Sequence, residues 1–184
     1  MGGEGDPGAA RPSRLGRLTI ALSQPFTRRG IYLGRRSARA HVAIYRAGGG
    51  RLGAHVPGWP AARIALVHHV GARTGKHRVS PLVYLEDGDA IAIVASKAGQ
   101  PTNPAWFHNL RAHPETEVEI GAERRAVRAR PADRAERKSL WPRFDAAYPE
   151  YANYREQAAP REIPILLLEP RAGPGHPPDA VDRS

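Results

Sequence analysis

Cysteine is absent from this chain, which excludes a disulfide framework and any thiolate metal site. That suits a reducing compartment, and a cytoplasmic protein is the expectation. No apolar run approaches the roughly 18 residues that a membrane-spanning helix needs. The Gly- and Pro-rich opening, Met1 to Arg11, lacks the apolar centre of a secretion signal. Acidic residues are in deficit, 18 against 28 Lys and Arg, so the 184-residue chain carries a formal charge of +10. The length suffices for one ordinary domain with its own core.

The surplus is uneven. Residues 1–40 hold eight arginines against Glu4 and Asp6, a balance of +6, and the remaining 144 carry only +4. Residues 1–13 and 171–184, rich in Gly, Pro and charge, are expected to be disordered ends. Between residues 14 and 33, Leu15, Leu18 and Leu22 recur at helical spacing, with Arg14 and Arg17 on other faces. Such an amphipathic helix packs on the domain or lies in an anionic lipid interface. A basic arm also raises a nucleic-acid module. The chain has neither a helix-turn-helix pattern nor a basic stripe interleaved with aromatics, so no nucleic-acid partner is expected.

Strand-like runs dominate the rest. His41-Val42-Ala43-Ile44-Tyr45-Arg46 reads as a strand ended by Gly48-Gly49-Gly50. Arg63 to Val70 and Arg78 to Leu85 flank a loop from Gly71 to Gly75. Glu86-Asp87-Gly88-Asp89 turns the chain into Ala90 to Ala95. Asn103-Pro104 reads as an N-cap followed by proline at the first helical position, predicting a helix to about Ala112. Glu115 to Ile120 and Arg124 to Arg130 form a second hairpin through Gly121. Helices follow from Asp133 to about Ala147 and near Pro149 to Gln157, then a last strand from Ile163 to Glu169. Strands and helices do not alternate regularly, which argues against a doubly wound sheet and for an α+β, mainly β, chain: a closed or split antiparallel barrel with peripheral helices.

Three constellations carry chemistry. Arg73, Lys76 and Arg78 stand among small residues in the loop after Val70, where Arg offers a fork and Lys a point charge to a phosphate or carboxylate. Alone, the segment is equally a solvated basic turn. It is not a Walker A loop, for Val70 and His77 occupy positions where that motif needs Gly and Ser or Thr. Ser96, Lys97 and Gly99 follow a strand with a hydroxyl, a cation and bare backbone. Trp106 and Asn109 share a face of the next helix, where an indole beside an amide borders a flat heteroaromatic ring or simply joins the core. Tyr148, Tyr151 and Tyr154, three apart, form either a half-buried aromatic stripe or the wall of a pocket for a flat substrate. His68-His69 and His108…His113 lack zinc-site spacing, so no metal is expected. There is no nucleophile elbow and no dinucleotide fingerprint.

Taken in order, His41–Arg46 with its glycines, Arg73–Leu82, Ala95–Gly99, Asn103–Leu110 and Arg161-Glu162-Ile163-Pro164 resemble the deazaflavin-dependent nitroreductase and quinone reductase family. The resemblance runs from about residue 35 to 170, the expected domain. It implies a split β-barrel of the flavin-reductase type that binds coenzyme F420, an 8-hydroxy-5-deazaflavin with a phosphate and glutamate tail. It implies a tail site at Arg73, Thr74, Lys76 and Arg78, with Pro81 and Leu82 beside the cofactor. It implies a ring site at Ser96, Lys97, Ala105, Trp106 and Asn109, and acceptor-pocket tyrosines at Tyr148, Tyr151 and Tyr154. The implied reaction is hydride transfer to quinones, nitroaromatics or activated alkenes (enones), by a monomer or homodimer. In some members the basic N-terminal helix is associated with membrane quinones, hence an expected peripheral contact with the cell membrane. A related barrel using FMN or haem is the alternative, but the basic loop suits a long polyanionic tail better than one phosphate. His68-His69 departs from the small polar residues many members carry there, leaving open a changed cofactor edge or changed strand packing.

Overall fold

The structure is a computed structural model that describes residues 34–171. The expected leader, the expected helix of residues 14–33 and the expected tail beyond Arg171 lie outside the described residues. Arg171 itself is tied down: its N–H donates to the Ala126 carbonyl, and its guanidinium pairs with Glu115.

Helix α1 (Gly34–Ala47) leads into a short strand β1 (His55–Val56), then β2 (Trp59–Val70), β3 (His77–Asp87) and β4 (Ala90–Val94). A single turn at Lys97–Gly99 and helix α2 (Ala105–Ala112) precede the hairpin β5 (Glu115–Ile120) and β6 (Glu123–Pro131). Helices α3 (Arg134–Ala147) and α4 (Glu150–Ala158) precede the last strand, β7 (Ile165–Pro170). The order is β1-β2-β3-β4-β7-β6-β5, and β5 also pairs with β2. Every pairing is antiparallel, so β2, β3, β4, β7, β6 and β5 close a six-stranded barrel.

Period-two alternation divides the core. Ile91 and Ile93 of β4, with Leu166 and Leu168 of β7, join Val67, Tyr84, Val118 and Val127 in one cluster, to which α2 adds Trp106, Phe107 and Leu110. The opposite faces of the same strands, Ala92, Val94, Ile165 and Leu167, pack on Leu140 and Phe144 of α3 and on Tyr151, Tyr154 and Ala158 of α4. β7 reads as an unbroken apolar run because both its faces are covered. Each fully buried large apolar side chain stabilises by about 1.5–3 kcal/mol, against roughly 0–1 kcal/mol for an exposed ion pair. The two clusters therefore hold the barrel, and the surface pairs refine it. Helix α3 starts on a capping box: Asp133 Oδ1 accepts from the Glu136 N–H at 2.8 Å, and Glu136 Oε2 accepts from the Asp133 N–H at 2.7 Å.

The strand expected at His41–Arg46 is instead the second half of α1. Ala38, His41, Val42 and Tyr45 turn inward at helical spacing, while Ile44 stays 54% exposed. Six residues, with Val42, Ile44 and Tyr45 favouring a strand, are too few to separate a period of 3.6 from a period of 2. Tertiary contacts settle it. The Tyr45 hydroxyl accepts from the Gly121 N–H at 2.8 Å and donates to the Ile64 carbonyl at 3.4 Å. Arg46 grips Glu119 with Nε and Nη2, and Glu119 also accepts from His68 Nε2 at 2.6 Å. Asn103 is not the N-cap of α2. Pro104 occupies that position without a side-chain cap, and the Asn103 amide is engaged elsewhere.

Hydrogen bonding from Arg46, more than that from His68, holds the Glu119 carboxyl down to about 2. A carboxyl depressed in the fold stabilises above its unfolded value and loses that contribution as pH falls through its folded value. Urea unfolding of the parent and of Glu119→Gln should therefore differ by a constant amount from neutral pH to about pH 5 and converge as pH falls towards 2. A gap that stays constant down to pH 2.5 would contradict the assignment.

Candidate active site

The chain leaving β4 does not follow an ordinary path. Lys97 and Ala98 both have φ of 50°, and Gly99 follows at 73°. Two non-glycine residues in the left-handed region cost on the order of 1–3 kcal/mol each, so surrounding contacts must hold them. Arg161 supplies these. Its Nε and Nη2 donate to the Gln100 carbonyl, Nη2 also to the Ser96 carbonyl at 3.0 Å, and Nη1 to Asn103 Oδ1 at 2.7 Å and the Ala95 carbonyl at 3.4 Å. One planar guanidinium thus spans the whole bend. On its other side the bend lies directly against α4: a Cβ on Gly99 would stand 2.8 Å from Gln157 Cβ and 3.3 Å from Tyr154 Cα. Only glycine fits there, by conformation and by space.

Beside this bend is a cavity of about 370 Å³, within the roughly 300–1,000 Å³ range of small-molecule sites. Ser37, Ala38 and His41 of α1 line one part of it, and Ser80, Pro81, Leu82 and Val83 of β3 another. Ser96, Lys97, Ala98, Pro104 and Trp106 line the part nearest the bend, and Tyr148, Tyr151 and Tyr154 complete it. Tyr148 lies in the link between α3 and α4 and not on a helix face. The three rings nevertheless meet edge to face, with centroids 5.4, 6.1 and 6.3 Å apart. Burial above all raises the pKa of all three phenols. They remain protonated near neutrality, as hydrogen-bond donors and weak acids.

The basic loop between β2 and β3 closes on itself: Thr74 and Gly75 N–H groups donate to the Gly71 carbonyl, and the Gly71 N–H donates to that of Lys76. Among the described residues, Arg73, Lys76 and Arg78 have no carboxylate partner, and Arg73 and Lys76 are exposed. Asn109 ties this loop to the barrel. Its Oδ1 accepts from the Ala72 N–H at 2.9 Å, its Nδ2 meets His69 Nδ1 at 2.9 Å, and His69 Nε2 meets Ser80 Oγ at 3.0 Å. His69 is buried, and desolvation, helped by Arg78 and His68, lowers it to about 4. Its ring is neutral at physiological pH.

A second depression, of about 450 Å³, is lined by Tyr45, Arg46, Glu119 and Arg124 with small residues of two turns. Its charges are spent on one another and on His68 and Glu117. It offers a ligand no free charge.

Of the residues singled out in the sequence, Pro81, Leu82, Ser96, Lys97, Trp106 and the three tyrosines meet around the cavity. Arg73, Thr74, Lys76 and Arg78 gather in or beside the loop. Ala105 opens α2 without lining the cavity, and Asn109 stands behind the wall as a strut. The sequence assigns no site role to His41, Ser80 or Arg161, and leaves His69 open between a cofactor edge and strand packing. The register that sets Arg78 opposite His69, and Ser80 opposite Val67, is not visible in either segment alone.

The sequence profile of the F420H(2)-dependent quinone reductase family matches residues 37–170. The chain belongs to that family. An F420H(2)-dependent quinone reductase of Mycobacterium tuberculosis is 38% identical over 143 residues, 76% of this chain and 94% of the relative. A solved F420-H2 dependent reductase superposes with a TM-score of 0.53 at 36% identity, over 58% of this chain and 93% of that one. A second solved structure, described as a domain-swapped dimer, has a TM-score of 0.56 at 31% identity, over 73% and 96%. Family membership makes the chain an oxidoreductase dependent on coenzyme F420. No helix among the described residues is long and apolar enough to cross a membrane.

Arg161→Lys keeps the charge and loses the span. It should lower stability by about 1.5–3 kcal/mol, the worth of a charge-assisted hydrogen bond, and speed amide exchange at residues 96–103 above all. Urea melts with residue-resolved hydrogen exchange check this. Parent-like protection of that segment would remove Arg161 from its control.

Proposed function

We propose that the cavity seats the ring of coenzyme F420 with the tail on the basic loop, and that the tyrosines hold a quinone, nitroaromatic or enone against the ring. The single observation that carries this is the coincidence of a lined cavity with three uncompensated cations two residues or more upstream on β3 and its loop. Unpaired cations beside small residues suit the cofactor's phosphate and glutamates, and the apolar lining of Pro81, Leu82 and Trp106 suits its ring. When bound and reduced, coenzyme F420 supplies a hydride.

The chain's own residues position and shield. Arg73, Lys76 and Arg78 neutralise the tail, with Thr74 beside them. Ser96, Lys97 and Ala98 border the ring on the bend that Arg161 fixes, and the helix that Ala105 opens carries Trp106 and is tied to the basic loop by Asn109. Lys97 Nζ is itself placed by a 2.7 Å bond to Thr102 Oγ1. The tyrosines give the acceptor an apolar wall. A phenol that keeps its proton can donate a hydrogen bond to the acceptor oxygen, whose negative charge grows as the hydride arrives, and water supplies the balancing proton.

Lys76→Ala and Arg78→Ala should each weaken binding of coenzyme F420 by about 1.5–3 kcal/mol, measured by fluorescence titration at low salt. Parent affinity in both variants would remove the loop from the site.

Tyr151→Phe and Tyr154→Phe keep the wall and remove a donor. Stopped-flow oxidation of the reduced cofactor by a panel of quinones, nitroaromatics and enones should slow about 5–10-fold, one neutral hydrogen bond in the transition state, with cofactor affinity unchanged. Parent kinetics across the panel, in these variants and in the matching alanines, would place the acceptor elsewhere.

A further inference from the structure

The bonds linking Ala72, Asn109, His69 and Ser80 have a fixed direction. The Ala72 N–H can only donate, so the Asn109 atom 2.9 Å from it is the carbonyl oxygen. The amide nitrogen is then the atom facing His69 Nδ1, and it too can only donate. A neutral imidazole that accepts at Nδ1 carries its hydrogen at Nε2. That hydrogen points at Ser80 Oγ, 3.0 Å away. Ser80 therefore accepts from His69 and cannot donate back. Its own hydrogen has no acceptor among the described residues, and Ser80 lines the cavity.

Placement names the ligand end. Arg78 and Ser80 are two apart on β3, so their side chains share a face about 7 Å apart. A molecule with its anionic part on the loop and its flat part in the cavity passes Ser80 on the way. We propose that Ser80 donates a hydrogen bond to a lone-pair atom, a carbonyl oxygen or ring nitrogen, at the edge of the flat cofactor ring, and that His69, held by Asn109, is the positioning residue that commits the hydroxyl to that direction. The inference rests on the reading that coenzyme F420 occupies the cavity. The relay also couples the two halves of the site, because its first donor, Ala72, is part of the anion-binding loop.

Oxidised coenzyme F420 is the probe, followed by fluorescence and by the shift of its visible absorption on binding. Ser80→Ala should weaken binding by about tenfold and remove part of the absorption shift, and Ser80→Thr, which keeps the hydroxyl, should restore both. In the free parent protein at neutral pH, nitrogen-detected NMR should show His69 protonated at Nε2, with that resonance moving in Ser80→Ala as its acceptor disappears. Parent affinity and spectrum in Ser80→Ala would overturn the inference while leaving the functional reading intact. So would His69 protonated at Nδ1. A parent that does not bind coenzyme F420 at all would overturn both.

Discussion

Everything at the site hangs on the guanidinium of Arg161. The bend after β4 holds two left-handed non-glycine residues and presents Ser96, Lys97 and Ala98 to the cavity. Such a backbone persists only where its carbonyls have fixed partners. Arg161 reaches the carbonyls of Ala95, Ser96 and Gln100 and the Asn103 amide from one plane. No other side chain has that many donors in one rigid fork. It does so without a carboxylate partner among the described residues, and desolvation lowers its pKa. Its charge is met by three backbone carbonyls and the Asn103 side-chain oxygen, which ties the cation to that one conformation of the bend.

The barrel explains why such a bend can be held at all. β4 and β7 are buried on both faces, so the point where the chain leaves β4 and the point where it enters β7 are pinned side by side. The Ala95 N–H donates to the Pro164 carbonyl at 2.9 Å, which carries the pairing one step beyond the strands. Arg161, three residues before Pro164, is thereby delivered to the bend. Gly99 lets α4 come close enough for Tyr151 and Tyr154 to share the same cavity. Packing fixes the frame, the frame fixes the bend, and the bend fixes which atoms face the ligand.

Much of this was legible in the sequence, for identifiable reasons. The hairpin turns at Gly71 to Gly75, Gly88 and Gly121 announce themselves through local chemistry, and the apolar runs of β2, β4 and β7 give the strands they flank. Of the residues the family resemblance implies for the site, Pro81, Leu82, Ser96, Lys97, Trp106 and the three tyrosines line the cavity, whereas Ala105 and Asn109 do not. What failed was either short or non-local. His41–Arg46 offers too few residues to tell helix from strand, and only Tyr45 reaching Gly121 and Arg46 reaching Glu119 decide it. Asn103 has the chemistry of a cap, but Arg161, 58 residues away, claims its oxygen. The two histidines look alike in sequence and differ in space: His68 serves the ion pair that docks α1, and His69 faces Asn109 and Ser80. Alternation along β2 sends them to opposite sides, and no reading of one strand says what waits on each.

The distribution of charge completes the physical picture. Across the outer strands and helices, arginines are matched to carboxylates: Arg46 to Glu119, Arg130 to Glu136 and Glu169, Arg155 to Asp145, Arg143 to Asp87. A chain with 28 cations and 18 acids cannot pair them all, and where it leaves the surplus matters. At the loop after β2 it leaves three, on a backbone turn braced from behind by Asn109. Unpaired cations in water cost little and repel one another weakly. They stabilise strongly once a polyanion arrives, because a ligand with several charges satisfies them together. Beside them the cavity is walled by phenols that keep their protons, an indole and prolines, with Lys97 at the bend as a cation. On the proposed reading, a ligand with an anionic tail and a flat head meets both halves at once.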